Sequence, residues 1–193
     1  MTRLLKTATA ALVLGLMTTT PAVAQKLSPA VIVVVDMDQV IGESAAGKAA
    51  STEIQTKVNT LRTRANTLQT QLQTDAEQIQ KGQADKTLAG AALESRAKAF
   101  GEKQQQAQQE IGRLENDVQR TRAFVVQQIT DAANPIITTV MRERGASIAL
   151  QEGATLQHSA SIDITNDVIS RLNTSTPRVS TKPPAQTTQP AQN

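Results

Sequence analysis

Gly42-Glu43-Ser44-Ala45-Ala46-Gly47-Lys48-Ala49 comes within one residue of a phosphate-binding loop, and an apolar stretch lies just upstream. Such a loop cradles phosphates on backbone amides, sends its Lys to the phosphates, and needs a final Ser or Thr hydroxyl for magnesium. Ala49 carries no hydroxyl, and no second apolar strand ending in a metal-binding Asp follows. A helix start built from small residues explains the segment better. His158, the single histidine, has no Cys in the chain to join it and no cluster of carboxylates beside it, so it reads as a surface strand residue. Asp36 with Asp38, and Asp163 with Asp167, are paired only in sequence. At strand and helix ends Asp serves caps and turns far more often than acid–base work. The residues offer no catalytic set, no metal site and no cofactor site, and the chain reads as a protein that is not an enzyme.

The elements that would have to position any such chemistry point instead to gripping. One apolar stripe runs Ile54, Val58, Leu61, Ala65, Leu68, Leu72, Ile79, with Asp75 in its missing position. A second runs Leu93, Ala97, Phe100, Gln104, Ala107, Ile111, Leu114, Val118, Thr121, Val125. Steps of four and three alternate, a mean of about 3.5 residues, which keeps one narrow seam facing a partner helix. Gly82 and Gly90 flank the break between the stripes, so two long helices should fold back as an antiparallel coiled-coil hairpin over 44–124, its tip near 81–90. A first helix ending near Gln80 makes an arm roughly 50 Å long. The preferred register faces Ile54 with Val118, Val58 with Leu114, Leu61 with Ile111, Leu72 with Phe100 and Ile79 with Leu93. A shift of one heptad is also allowed, but it sets Leu61 against Gln104 and Val58 against Ala107. Asp75, Gln104, Thr121 and the facing pair Ala65 and Ala107 weaken the seam, so the outer half of the arm should open more easily than the half near the base.

Val31-Ile32-Val33-Val34-Val35 is a continuous β-branched run, read as a strand buried on both faces and ended by Asp36. Ser44 can cap the next helix. Beyond Val125 the apolar spacing widens through Ile129, Ala132 or Ala133, Ile136 and Val140, as in a helix buried in a base, and Pro135 should kink or break it. Gly145 closes that helix after Arg142 and Arg144. Ser147–Leu150 and Thr155–Gln157 look like a short hairpin or two strand fragments, and Thr165 could cap a last helix over 166–172. The base then comprises 25–43 and 125–172. With two Phe and no Trp or Tyr in the whole chain, a base this small is marginal alone and should be completed by other copies of itself. The Pro/Thr/Gln/Ser-rich segment 173–193 reads as a disordered tail.

Residues 1–24 read as a secretory signal peptide: Arg3 and Lys6, an apolar stretch from Ala8 to Met17, then Ala22-Val23-Ala24 before cleavage at Gln25. The apolar stretch falls short of the roughly 20 residues that a span requires. The precursor carries 20 basic and 17 acidic residues, and losing Arg3 and Lys6 leaves it nearly neutral, so its basicity is no nucleic-acid footprint. Zero Cys excludes a disulfide framework and a lipidated N-terminal Cys. Lys81, Lys86, Arg96, Lys98 and Lys103 give the tip region a modest basic excess that could attract client chains or anionic lipid headgroups, although a solvated face explains it as well.

Two segments carry a resemblance. Val33-Val34-Val35-Asp36-Met37-Asp38-Gln39-Val40 with Glu43-Ser44-Ala45-Ala46-Gly47-Lys48-Ala49-Ala50, and Ile148-Ala149-Leu150, Gly153-Ala154 with Ser161–Ile169 and Leu172, bracket the coiled coil. In order and spacing they resemble the Skp (OmpH-like) family of periplasmic outer-membrane-protein chaperones, over about residues 28–172. The resemblance implies a mainly α chain with a small β base: a homotrimer whose three subunits share a β-barrel oligomerisation domain and each project one hairpin arm. The arms would enclose unfolded outer-membrane β-barrel proteins without ATP. Val31, Ile32, Val33, Val34, Val35, Ile148, Leu150 and Leu156 would build the base. Ile54, Val58, Leu61, Leu68, Leu72, Ile79, Leu93, Phe100, Ile111, Leu114 and Val118 would form the arm seam. The near-neutral mature charge is less basic than that of the best-known members, which bears on capture of clients or lipopolysaccharide, and the tail lies outside the family pattern. The rival reading is a structural or adaptor coiled-coil protein of the cell envelope that docks one fixed partner.

Overall fold

β1 (Ile32–Val35) lies parallel to β2 (Ile148–Gln151), and the register pairs Ile32 with Ile148 and Val34 with Leu150. Parallel strands need a long crossover, and here residues 36–147 supply it. In the computed structural model residues 29–185 are described; the expected signal peptide and residues 186–193 lie outside them. Between the strands come α1 (Met37–Glu43), α2 (Ala45–Ala84) and α3 (Gly90–Glu143). After β2 two single 3-10 turns, Glu152–Ala154 and Ala160–Ile162, lead to α4 (Thr165–Ser175).

Local chemistry sets these boundaries. Asp36 ends β1 and caps α1, its Oδ1 accepting from the Gln39 amide at 3.0 Å. The sequence reading had no α1 and began its helices at Ser44. Ser44 is the corner: its extended backbone separates α1 from α2, and its buried Oγ accepts from the Gly47 amide at 3.1 Å. Only glycine fits at 47, because a Cβ there would sit 1.7 Å from the Ile41 carbonyl oxygen. α2 runs to Ala84, beyond the expected Gln80. The turn then reverses the chain with Lys86 and Gly90 at positive φ, and the Leu88 amide donates to the Gly82 carbonyl at 2.9 Å.

Pro135 does not interrupt α3, which runs unbroken from the tip into the base. The ring sits on the exposed face, so the Asp131 carbonyl that loses its helical donor can turn to water. Below the arm, α3 turns Val125, Ile129, Ala133 and Val140 into a core with Val33, Val35, Val40, Ala46, Ala50, Ile164, Val168 and Leu172. Ile129, Ile164, Val168 and Leu172 are fully buried. Thr165 does not cap α4 with its hydroxyl; its Oγ1 accepts from the Asp36 amide at 2.9 Å and ties α4 to the end of β1, while Asp163 Oδ1 accepts from the Thr165 amide.

Three further expectations are corrected. The run Val31–Val35 is not buried throughout: Val33, Val34 and Val35 are, but Val31 and Ile32 stay 45% and 37% exposed, because none of the described residues covers the start of β1. Residues 147–157 hold one strand and a 3-10 turn rather than a hairpin, since β2 takes its partner from β1. The tail is not free along its described length. Residues 173–175 complete α4, and 176–185 lie against the hairpin root, held by side chains of α2 and α3.

Candidate functional site

The phosphate-loop look-alike is a helix–helix corner. Gly42 and Glu43 are inside α1, the Gly47 amide is taken by Ser44 Oγ, and the Lys48 amide donates to the Ser44 carbonyl at 2.9 Å. The Ala45 amide also has a partner, the Asn173 Oδ1 at 2.7 Å, so three of the amides that a phosphate would need are already used. Lys48 itself is exposed.

His158 and Asp163 approach to 3.7 Å beside the end of β1. Burial pushes the Asp163 carboxyl up, but hydrogen bonding from Thr165 and the nearby His158 outweigh it and hold the group below its ordinary value. Glu152 is shifted the other way, pushed up by a hydrogen bond with Asp36, by burial and by the Asp36 charge. The protonated form of Glu152 is therefore favoured on folding, and stability falls as pH rises through its folded value. Glu152→Gln should melt at a higher temperature than the parent at pH 7, with the difference shrinking as pH drops through the carboxylate range. A gain that persists at low pH would show that Asp36 is not the cause. Among the described residues no group of three or more His, Cys, Asp or Glu is placed to hold a metal.

The arm is laced by a ladder of ion pairs. Lys57 Nζ lies 2.8 Å from Asp117 and 3.0 Å from Thr121 Oγ1, Arg64 grips both carboxylate oxygens of Glu110 at 2.7 and 2.9 Å, and Lys103 meets Asp75 at 2.6 Å. Partners fall along α3 as they rise along α2, so the two helices run antiparallel. Hydrogen bonds from Arg64 hold Glu110 below the ordinary carboxylate range. Two polar interruptions of the seam thus have partners: Asp75 pairs with Lys103, and Thr121, fully buried, receives Lys57.

Long helical side chains lean toward their own N-terminus. Lys57 therefore reaches the level of Ile54, where Asp117 and Thr121 bracket Val118, and Arg64 reaches the level of Leu61, where Glu110 precedes Ile111. That geometry favours the register that faces Leu61 with Ile111 over the one that faces it with Gln104. Cysteines at 61 and 111 should cross-link readily on mild oxidation, and cysteines at 61 and 104 should not; the reverse pattern rejects the register.

Along the seam, Ala107 and Val118 are buried, whereas Ile54, Val58, Leu61, Leu68, Leu72, Ile79, Leu93, Phe100, Ile111 and Leu114 are half-buried. Two helices can cover only one side of such a stripe. Small Ala65 and Ala107 leave an open groove lined also by Leu68, Leu72, Gln104 and Ile111. Lys81, Lys86, Arg96 and Lys98 are exposed, but Lys103 stands apart from the tip group because Asp75 neutralises it.

In the base, Ile32 and Ile148 face each other across the sheet and are 37% and 40% exposed. Leu150 is half-buried, and Leu156, expected in a strand, projects fully into solvent from the loop after β2. Val31, Ile32, Ile148 and Leu156 are four of the five large apolar side chains exposed among the described residues. On its other edge β1 is capped, since the Ile164 amide donates to the Val34 carbonyl at 2.9 Å. Among the described residues the sheet therefore has two strands, and a two-stranded sheet with exposed apolar side chains is marginal in water. The residues that sequence reasoning missed are those of the hairpin root that hold the tail, Glu53, Arg120 and Gln128. Their polar, unpatterned character carried no signal.

The family model for outer membrane proteins of the OmpH-like type matches residues 31–172. The crystal structure of a candidate outer membrane chaperone (OmpH-like) from Caulobacter crescentus CB15 is similar in fold, with a TM-score of 0.69 at 22% identity, covering 79% of this chain and 90% of that one. Among curated proteins none matches the chain.

Proposed function

The chain belongs to the OmpH-like outer membrane protein family, and from that premise we propose that it is an ATP-independent periplasmic holdase chaperone for unfolded outer-membrane β-barrel proteins. The observation that carries the reading is the division of exposed apolar surface. One part is the exposed end of the β1–β2 sheet at Val31, Ile32 and Ile148 with Leu156 from the loop after it, and the other is the half-covered seam of a long paired-helix arm.

The sheet end serves assembly. Three copies join through their β1–β2 sheets into a shared barrel, which covers an apolar surface that one chain cannot cover and removes the open edges. The base is 25–43 with 125–172, and each subunit contributes its 44–124 hairpin as an arm. The inner faces of three arms line a cavity, where a client is held by many weak contacts. Adaptable apolar and polar surface suits a broad client range, and three arms raise avidity without a tight pocket. Lys81, Lys86, Arg96 and Lys98 add a weak attraction for acidic stretches, anionic lipid or lipopolysaccharide. Residues 1–24 direct export as a cleaved signal peptide. No nucleic acid partner enters this reading.

Native mass spectrometry of residues 25–193, before and after dilution of a urea-unfolded outer-membrane barrel, tests it. A three-subunit mass that gains one client chain is the expected result. A trimer that ignores the client favours an envelope adaptor with one fixed partner, and a stable monomer removes the assembly on which the cavity depends.

A further inference from the structure

Residues 176–185 lie past the family match, and the way they are held is informative. Gln128 Nε2 donates to the Ser180 carbonyl at 2.8 Å while its Oε1 accepts from the Ser180 amide at 3.1 Å. One side-chain amide thus pairs with both main-chain groups of one residue, as a neighbouring strand would. Arg120 Nη2 donates to the Pro184 carbonyl at 2.8 Å. Two of the remaining contacts involve side chains: Val179 packs on the edge of the core, and the Thr181 hydroxyl, 7% exposed as a residue, donates to Glu53 of α2.

Main-chain carbonyls and amides are common to every polypeptide, so the Gln128 and Arg120 contacts read backbone rather than a sequence, on either side of a bend at Thr181 and Lys182 where the Lys182 amide donates to Ser180 Oγ. Only proline, which lacks the amide, fails at the Gln128 position. We infer that the surface at the hairpin root, between Glu53 on α2 and Arg120 and Gln128 on α3, is a binding site for a polypeptide segment, occupied in cis by the chain's own tail. The inference rests on the chaperone reading for the identity of the competing segment: an unfolded client. The tail acts as a tethered competitor. A flexible link sets its effective concentration in the millimolar range. A site filled in this way about nine-tenths of the time binds an outside segment about tenfold more weakly than an open one.

The test keeps the full chain. Val179→Asp with Thr181→Ala should release the tail and leave the surface intact, while Gln128→Ala added to that pair removes the backbone clamp. Circular dichroism of each variant confirms that the helices persist. A fluorescent peptide with the sequence of residues 176–185 should bind the released variant saturably, and binding should fall about tenfold or more with Gln128→Ala. The released variant should also hold an unfolded outer-membrane barrel protein more tightly than the parent, a gain that Gln128→Ala cancels. Peptide binding that is absent or indifferent to Gln128 overturns the site. Gln128-dependent peptide binding with unchanged client affinity overturns the competition. If the peptide binds through Gln128 but no variant holds the client, the polypeptide site stands and the chaperone reading fails.

Discussion

Ile32→Glu combined with Ile148→Glu should leave a folded single chain that no longer assembles and no longer protects an unfolded barrel protein from aggregation. The two side chains are 37% and 40% exposed and pair across the β1–β2 register, whereas the chain's own core is built from their neighbours Val33 and Val35 and from the helices. The substitutions therefore spare the fold of one subunit. In a shared barrel they bring two unpaired carboxylates per chain into a desolvated seam, at an effective cost of several kcal/mol for each ion. Sedimentation or native mass should fall to that of one chain, with helix content retained. A double variant that keeps the parent mass and the parent protection would place assembly elsewhere on the molecule.

Ile129→Ala should be the most destabilising single truncation in the chain, at about 2–5 kcal/mol. Ile129 is fully buried where α3 enters the base, in the cluster that includes Val33, Ala50, Ile164, Val168 and Leu172. Its removal leaves a void between several elements that cannot all close on it. A loss of that size is a large share of the roughly 5–15 kcal/mol that holds a typical domain together. Leu61→Ala is the control: Leu61 is half-buried between two helices only, so water or a small helix shift can fill its place, and it should cost clearly less. Urea unfolding followed by far-UV circular dichroism measures both. Equal losses would mean that the arm, and not the base, carries the stability.

The arm was legible because its signal is periodic. Ile54 through Ile79 and Leu93 through Val125 repeat at the coiled-coil spacing, and the stretch between them supplied the turn whose Lys86 and Gly90 adopt positive φ. The widened face at Val125, Ile129, Ala133 and Val140 likewise marked where α3 meets the base. Pro135 misled, because a residue's local cost says nothing of whether it faces water. The corner at Ser44 was read as a helix start, which it is. That Gly47 is there for the Ile41 carbonyl needed the packing of α1 on α2.

By itself the sequence determined the features that neighbouring residues impose on one another: two long helices, a tight turn, a β-branched strand ended by Asp36, and the cap at Ser44. Each follows from side-chain size, β-branching or hydrogen-bonding capacity within a few residues along the chain. Only the tertiary structure decided the parallel pairing of β1 with β2, the exposure of Ile32, Ile148 and Leu156, and the capture of Ser180 and Pro184 by Gln128 and Arg120. Those contacts join residues 52 to 116 positions apart in the chain. Their polar members follow no period, and a backbone carbonyl looks the same in every residue. Such partners are chosen by where the core places them.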